Sequence, residues 1–215
     1  MKKQIICFGD SNTHGYDSAR EGDRYDETIR WTALLQKKLG EEYNIVEEGL
    51  SGRTTCFEDP LDEGMSALPY IKPCLMSHKP VDLLVIMLGT NDTKQRFGAT
   101  AHNIAEGLTR LVRKAMDVKE CWRDGKPNVL IVVPKYIGEK YVDTVCFGHM
   151  GSGCAEKSAG LSAEYEEVAK LLGCHFMDAN QVVIGGMTEI DYMHLNEDGH
   201  RQLAEAMEKK IRECC

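Results

Sequence analysis

The sequence predicts an α/β fold, a three-layer α/β/α sandwich around a five-stranded parallel sheet. Three observations lead there. Short apolar runs alternate with longer stretches of helical periodicity, the pattern of βα units that wind a parallel sheet. The run at residues 81–88 is apolar almost throughout, as a central strand covered on both faces requires. Five such runs fit the 215-residue chain, which suits one domain over 1–215 with flavodoxin-like order. No repeat, low-complexity tract or composition shift marks a linker.

The elements follow in order. Residues 3–8 form the first strand, closed by Gly9-Asp10-Ser11. A helix over 29–39 places Trp31, Leu34, Leu35 and Leu39 on or near one face, with Gly40 at its stop. The second strand, 44–48, runs into the polar loop 49–55. Pro69 sits near the first turn of a helix over 67–79, and Pro80 ends it. The strand 81–88 stops at Gly89-Thr90-Asn91-Asp92. Ile104, Leu108, Leu111 and Ala115 mark a helix over 101–117, and Pro134 stops the fourth strand, 129–133. Residues 136–158 lack periodicity and read as a long loop, functional or mobile. A helix over 161–172, a short strand over 174–177 and a loop over 178–195 lead to the last helix, which begins at Asn196 and turns Leu203, Met207 and Ile211 inward.

Composition narrows the setting. Hydrophobic content of 42% and charge of 28% are ordinary for a globular chain, and a net charge of −8 argues against a nucleic-acid partner. No apolar stretch reaches membrane-spanning length, and the five-residue run near the N-terminus is too short for a signal peptide. No membrane partner and a cytoplasmic location are therefore expected. The nine cysteines are odd in number and contain no C-x-x-C pair, so no disulfide framework is expected. His14, His78, His102, His149, His175 and His200 lack metal spacing and read as surface or packing residues. No metal is expected.

Four loops, each after a strand, carry chemistry: Gly9-Asp10-Ser11, Ser51-Gly52-Arg53, Gly89-Thr90-Asn91-Asp92 and Asp191-Tyr192-Met193-His194. Loops after parallel strands leave the same edge of the sheet and can converge. Together they supply what acyl transfer needs. A serine hydroxyl is a weak nucleophile that requires a base. Histidine is the side chain that titrates nearest neutrality, and a carboxylate fixes its tautomer. The tetrahedral oxyanion needs preorganised donors, for which the Ser11 and Gly52 amides and the Asn91 side chain are candidates. Each piece has a plainer reading. A lone serine after a strand caps a helix or tightens a turn, Asp191 caps a turn, Gly52 is a turn glycine, and Asn91 and Asp92 are turn formers. A cysteine hydrolase using Cys7 or Cys154 lacks a histidine placed by a motif.

The four blocks in order resemble those of the SGNH, or GDSL-type, hydrolases. Arg30-Trp31-Thr32, the stretch from Glu47 to Thr55 and the stretch from Ile86 to Lys94 are similar to the arylesterase/acyltransferase branch that includes bacterial perhydrolases. The resemblance implies the SGNH α/β/α fold, no metal or organic cofactor, and an oligomer. It implies Ser11 as nucleophile, His194 as base, Asp191 as its orienter, and Ser11, Gly52 and Asn91 as oxyanion donors. Asn12 stands where the family name expects leucine, Glu48 where many members carry asparagine, and His14 and Tyr16 where the branch has tryptophan. These positions are expected to line or support the acyl pocket, the segments 56–68 and 136–158 to shape it, and Asp10 and Asn12 to bind substrate. The expected activity is serine-dependent hydrolysis of small esters, acetyl esters first, through an acyl-enzyme and with acyl transfer open. A carbohydrate acetyl esterase, or a non-catalytic binding module on the same scaffold, is the alternative.

Overall fold

The computed structural model describes residues 1–20 and 22–215. The first third holds β1 (Lys3–Gly9), α1 (Ser11–His14), β2 (Tyr16–Asp17), β3 (Asp23–Arg24), α2 (Trp31–Leu39), β4 (Tyr43–Gly49) and α3 (Ala67–Ser77). The middle holds β5 (Leu83–Met87), α4 (Ala101–Met116), β6 (Val129–Val133), α5 (Phe147–Met150) and α6 (Cys154–Ala159). The rest is α7 (Leu161–Leu172), β7 (His175–Asp178), α8 (Ala179–Val182) and α9 (Glu197–Cys214). Five strands form one sheet in the order β4-β1-β5-β6-β7, every pair parallel. That is the expected flavodoxin-like order.

Strand alternation sorts the core into two layers. Ile5, Cys7, Leu83, Val85, Met87, Leu130 and Val132 face α2 and α9, where Trp31, Leu35, Leu203, Met207 and Ile211 cover them. The neighbouring residues Ile6, Phe8, Leu84, Ile86, Ile131 and Val133 face α3, α4 and α7. Each fully buried large aliphatic contributes about 1.5–3 kcal/mol, so the central strands tolerate polar residues only at their ends. The register pairs Gly9 with both Gly49 and Met87. Three strands therefore finish level, and their following loops emerge side by side.

Several expected boundaries shift for local reasons. The helix placed over 29–39 begins at Trp31, because the Ile29 and Arg30 amides still donate to the Asp26 carbonyl in a turn. The strand placed over 81–88 shrinks to Leu83–Met87, because Val81 bonds instead to Cys121 and Arg123. The long loop over 136–158 is a correction. It carries two short helices and closes over its own cluster of Ile137, Tyr141, Met150, Cys154 and Met193. Among the described residues, no helix is long and apolar enough to cross a membrane. All nine cysteines are free thiols.

Candidate active site

Ser11 is the first residue of the single-turn α1, directly beyond β1. Asp10 caps that turn by accepting from the Asn12 amide at 3.0 Å. The plain capping role thus falls to Asp10, and the Ser11 hydroxyl is left free to face the cavity. Its Oγ lies 2.9 Å from His194 Nε2.

The segment 191–195 is shaped by one carboxylate. Asp191 Oδ1 accepts from the Met193 and His194 amides at 3.0 Å each, while Oδ2 meets His194 Nδ1 at 2.6 Å. One oxygen holds the turn and the other holds the ring. An ionised carboxylate only accepts, so Nδ1 carries the proton and Nε2 faces Ser11 as an acceptor. Burial alone would raise the Asp191 carboxyl. The hydrogen bond and charge of His194 and the two amides outweigh it and hold the group below the usual range. The turn forces Tyr192 to a φ of +57°, a region that costs a non-glycine residue about 1–3 kcal/mol. Its carbonyl accepts from the Gly138 amide at 2.7 Å and its amide donates to the Thr188 carbonyl at 3.1 Å, which hold it there.

A cavity of about 360 Å³ opens over this pair and brings Ser11, Gly52, Asn91 and His194 together. Gly52 has a φ of +90°, which a side chain rarely tolerates. Asn91 Nδ2 donates to the Arg53 carbonyl at 3.3 Å and keeps a second hydrogen for another acceptor. The adjoining Gly89 is required by packing, since a Cβ there would lie 2.4 Å from the Tyr165 hydroxyl oxygen. Tyr16 stacks on the His194 ring with centroids 4.3 Å apart and lines the cavity, as expected. Asp191 is buried behind the imidazole, outside the lining.

Other expectations change. Asn12 does not face the cavity. Its Nδ2 donates to the Met193 carbonyl at 3.1 Å and its Oδ1 accepts from the Leu195 amide at 2.9 Å, so the side chain is spent on clamping the segment that carries His194. Asp10 is fully buried, with Oδ2 lacking a protein partner. Burial pushes its carboxyl up to about 6. Neither residue touches the space a substrate would occupy. His14 lies outside the lining, and Glu48 turns to the other flank, where it meets His78 and Tyr70.

The sequence did not single out Met193 or Thr90, which also line the cavity, whereas Asp62 comes from the 56–68 segment expected to shape it. Met193 and Thr90 sit inside two of the four blocks, and that adjacency was their signal. The far wall comes from Val145, Cys146, His149 and Met150 of the segment expected to shape the pocket. A buried ion pair fixes the 56–66 loop. Asp59 meets Lys94 at 2.9 Å and Arg96 at 2.8 Å. Burial would raise Asp59, but the Arg96 and Lys94 hydrogen bonds outweigh it and hold the carboxyl well below its usual range.

Comparison with known proteins bears on the fold and the family. The family model for the GDSL-like lipase/acylhydrolase family matches residues 7–202. The structure of an aryl esterase from M. smegmatis is 33% identical, with a TM-score of 0.91 over 99% of this chain and 100% of that one. A carbohydrate acetylesterase from Sinorhizobium meliloti is 35% identical, with a TM-score of 0.90 over 99% of each chain. A search of curated protein sequences gave no match. With the family model spanning most of its length and two esterase structures overlying nearly all of it, the chain belongs to the GDSL-like lipase/acylhydrolase family and is a carboxylic ester hydrolase.

Proposed function

We propose that the protein hydrolyses small carboxylic esters, acetyl esters first, through an acyl-enzyme on Ser11. The observation that carries this is the hydrogen-bonded chain from Ser11 to His194 (2.9 Å) to Asp191 (2.6 Å) at the wall of a cavity of only about 360 Å³. That volume lies near the lower end for ligand sites and suits a short acyl group. Ser11 Oγ attacks the ester carbonyl while His194 Nε2 takes its proton, and Asp191 stabilises the resulting imidazolium. The Ser11 and Gly52 amides and Asn91 Nδ2 receive the oxyanion. His194 returns the proton to the departing alcohol. A water, deprotonated by His194, then releases the acid and regenerates Ser11. An alcohol in place of that water would give acyl transfer.

The test is p-nitrophenyl acetate turnover by the wild type and Ser11→Ala. Loss of a nucleophilic serine costs on the order of 10⁶ in kcat in a serine hydrolase. Undiminished turnover by Ser11→Ala rejects the mechanism.

The second reading, a sugar acetyl ester as substrate, is favoured by the polar Ser51, Asp62 and His149 that line the cavity along with the apolar Val145 and Met150. It predicts a higher kcat/KM on acetylated sugars than on p-nitrophenyl acetate. A homo-oligomer is proposed from the 91% exposed Val145 and 76% exposed Leu61, apolar residues of the kind an interface covers. A monomeric mass by light scattering removes it. Nine free thiols suit a reducing, cytoplasmic compartment. One domain over 1–215 is retained, to be checked by a single cooperative unfolding transition.

A further inference from the structure

On the flank away from the cavity, the Glu48 carboxylate, the Cys74 thiol and the His78 imidazole converge. One donor atom from each lies within 4.8 Å of the other two. None of the three lines the cavity. Two elements build the cluster. Cys74 and His78 are four residues apart at the C-terminal end of α3, so their side chains leave one face of the helix. Glu48 comes from the edge strand β4. His78 Nε2 lies 2.7 Å from Glu48 Oε1, and the Tyr70 hydroxyl, one turn earlier on α3, donates to Glu48 Oε2 at 3.2 Å.

We propose that Glu48, Cys74 and His78 form a zinc site separate from the ester-binding cavity, with the fourth position filled by water or the Tyr70 hydroxyl. Thiolate, imidazole and carboxylate are the donor set this borderline-soft cation takes. The side chains of Glu48 and His78 are 15% and 30% exposed while Cys74 is buried, so the cluster is open to solvent on one side and closed on the other. Tetrahedral ligands about 2.0–2.3 Å from an ion stand roughly 3.5 Å from one another. The Glu48–His78 pair must therefore spread and the thiol close in.

The charges balance. Before binding, the buried Cys74 carries its S–H proton beside the Glu48 carboxylate. On binding, the S–H bond breaks and its proton leaves to solvent. The His78 Nε2–H bond to Glu48 also breaks, its proton being replaced by one taken up at Nδ1 from solvent, and Sγ, Nε2 and a Glu48 oxygen each form a bond to the ion. Two positive charges then meet one thiolate and one carboxylate, so the ion and its own ligands are neutral together, beside the buried Arg53 guanidinium, which lies 5.4 Å from the Tyr70 ring. The sequence did not suggest this because Glu48 and His78 are 30 residues apart. Only the i,i+4 pair is local.

The test loads chelator-treated protein with one equivalent of zinc, removes excess by gel filtration and measures bound metal. Cobalt(II) loading then reads the thiolate-to-metal charge-transfer band. The wild type is expected to retain one zinc per chain and show the band. Cys74→Ser should lose the band. His78→Gln, at a partly exposed position, should weaken zinc binding by at least about 10-fold, since even loss of a supporting partner costs that much. The pair Cys214→Ser and Cys215→Ser should leave both readouts intact. No retained zinc, a band that survives Cys74→Ser, or undiminished affinity in His78→Gln overturns the assignment. A band lost only with the terminal cysteines also does so.

Discussion

Asp10 and Asp191 are both buried carboxylates within electrostatic reach of the His194 imidazole, yet their environments drive them in opposite directions. Asp191 accepts three hydrogen bonds, two from amides and one from the ring, and is held ionised. Asp10 accepts one, from the Asn12 amide, and has an oxygen with no protein partner. Burial pushes it up to about 6. Proximity to a histidine therefore does not make a carboxylate its orienter. The number and direction of the donors around it do.

The largest effect expected from this contrast is on turnover. Asp191→Asn should lower kcat by on the order of 10⁴, as the wrong tautomer does in a serine triad. Asp10→Asn, whose amide oxygen can still cap α1, should change kcat by less than about 10-fold. Equal losses in both variants break the contrast.

Asn12→Ala tests the clamp between these two regions. Removing both bonds to the 193–195 backbone should lower kcat by about 10- to 100-fold, the scale of a displaced catalytic group. KM for p-nitrophenyl acetate should change far less. A variant that raises KM alone would return Asn12 to substrate binding.

Stability against pH sharpens the contrast further. Asp10 is raised from its unfolded value of about 4 to about 6 in the fold. Its ionisation therefore opposes folding. That cost is absent below the unfolded value, grows between about 4 and 6, and is complete above. By linkage it is on the order of 3 kcal/mol. Urea unfolding of wild type and Asp10→Asn at pH 8 and pH 4.5 should show the wild type gaining relative to the variant at the lower pH. Asp191 and His200 act with the opposite sign. Asp191 contributes stability present above its unfolded value and lost as pH falls through its lowered folded value. His200, pushed down to about 4 by burial, destabilises the fold as pH falls from about 6.5 toward 4, because the unfolded chain takes its proton first. The difference between the two proteins isolates Asp10 from both.

The smallest expected change is at Tyr192. Tyr192→Gly removes the strain of the +57° backbone but loosens the unfolded chain, for a net change within about 1 kcal/mol in thermal unfolding. A large loss would show that the side chain, rather than the turn, holds the segment.

The fold was legible because its signals are local. Apolar runs such as Leu83–Met87 and helical stripes such as Ile104, Leu108 and Leu111 carry their own periodicity. The juxtaposition of Ser11 with Asp191 and His194 could be read from strand-end loops and a three-residue spacing. Asn12 could not be read, because what it clamps lies 181 and 183 residues away. The 136–158 segment was illegible for a different reason. Its buried residues Ile137, Tyr141, Met150 and Cys154 are spaced irregularly, and they pack against Met193, from a distant part of the chain. No helical or strand period survives such an arrangement.

That small cluster has an evolutionary consequence. The wall bearing Val145, Cys146, His149 and Met150 rests on its own five-residue core rather than on the packed sheet. Met193 and Tyr192 tie it to the segment that presents His194. Substitutions in this wall can accumulate without disturbing the strands that set Ser11, Gly52 and Asn91. Selection on acyl preference can thus proceed in one part of the chain while the reaction chemistry is inherited unchanged in another.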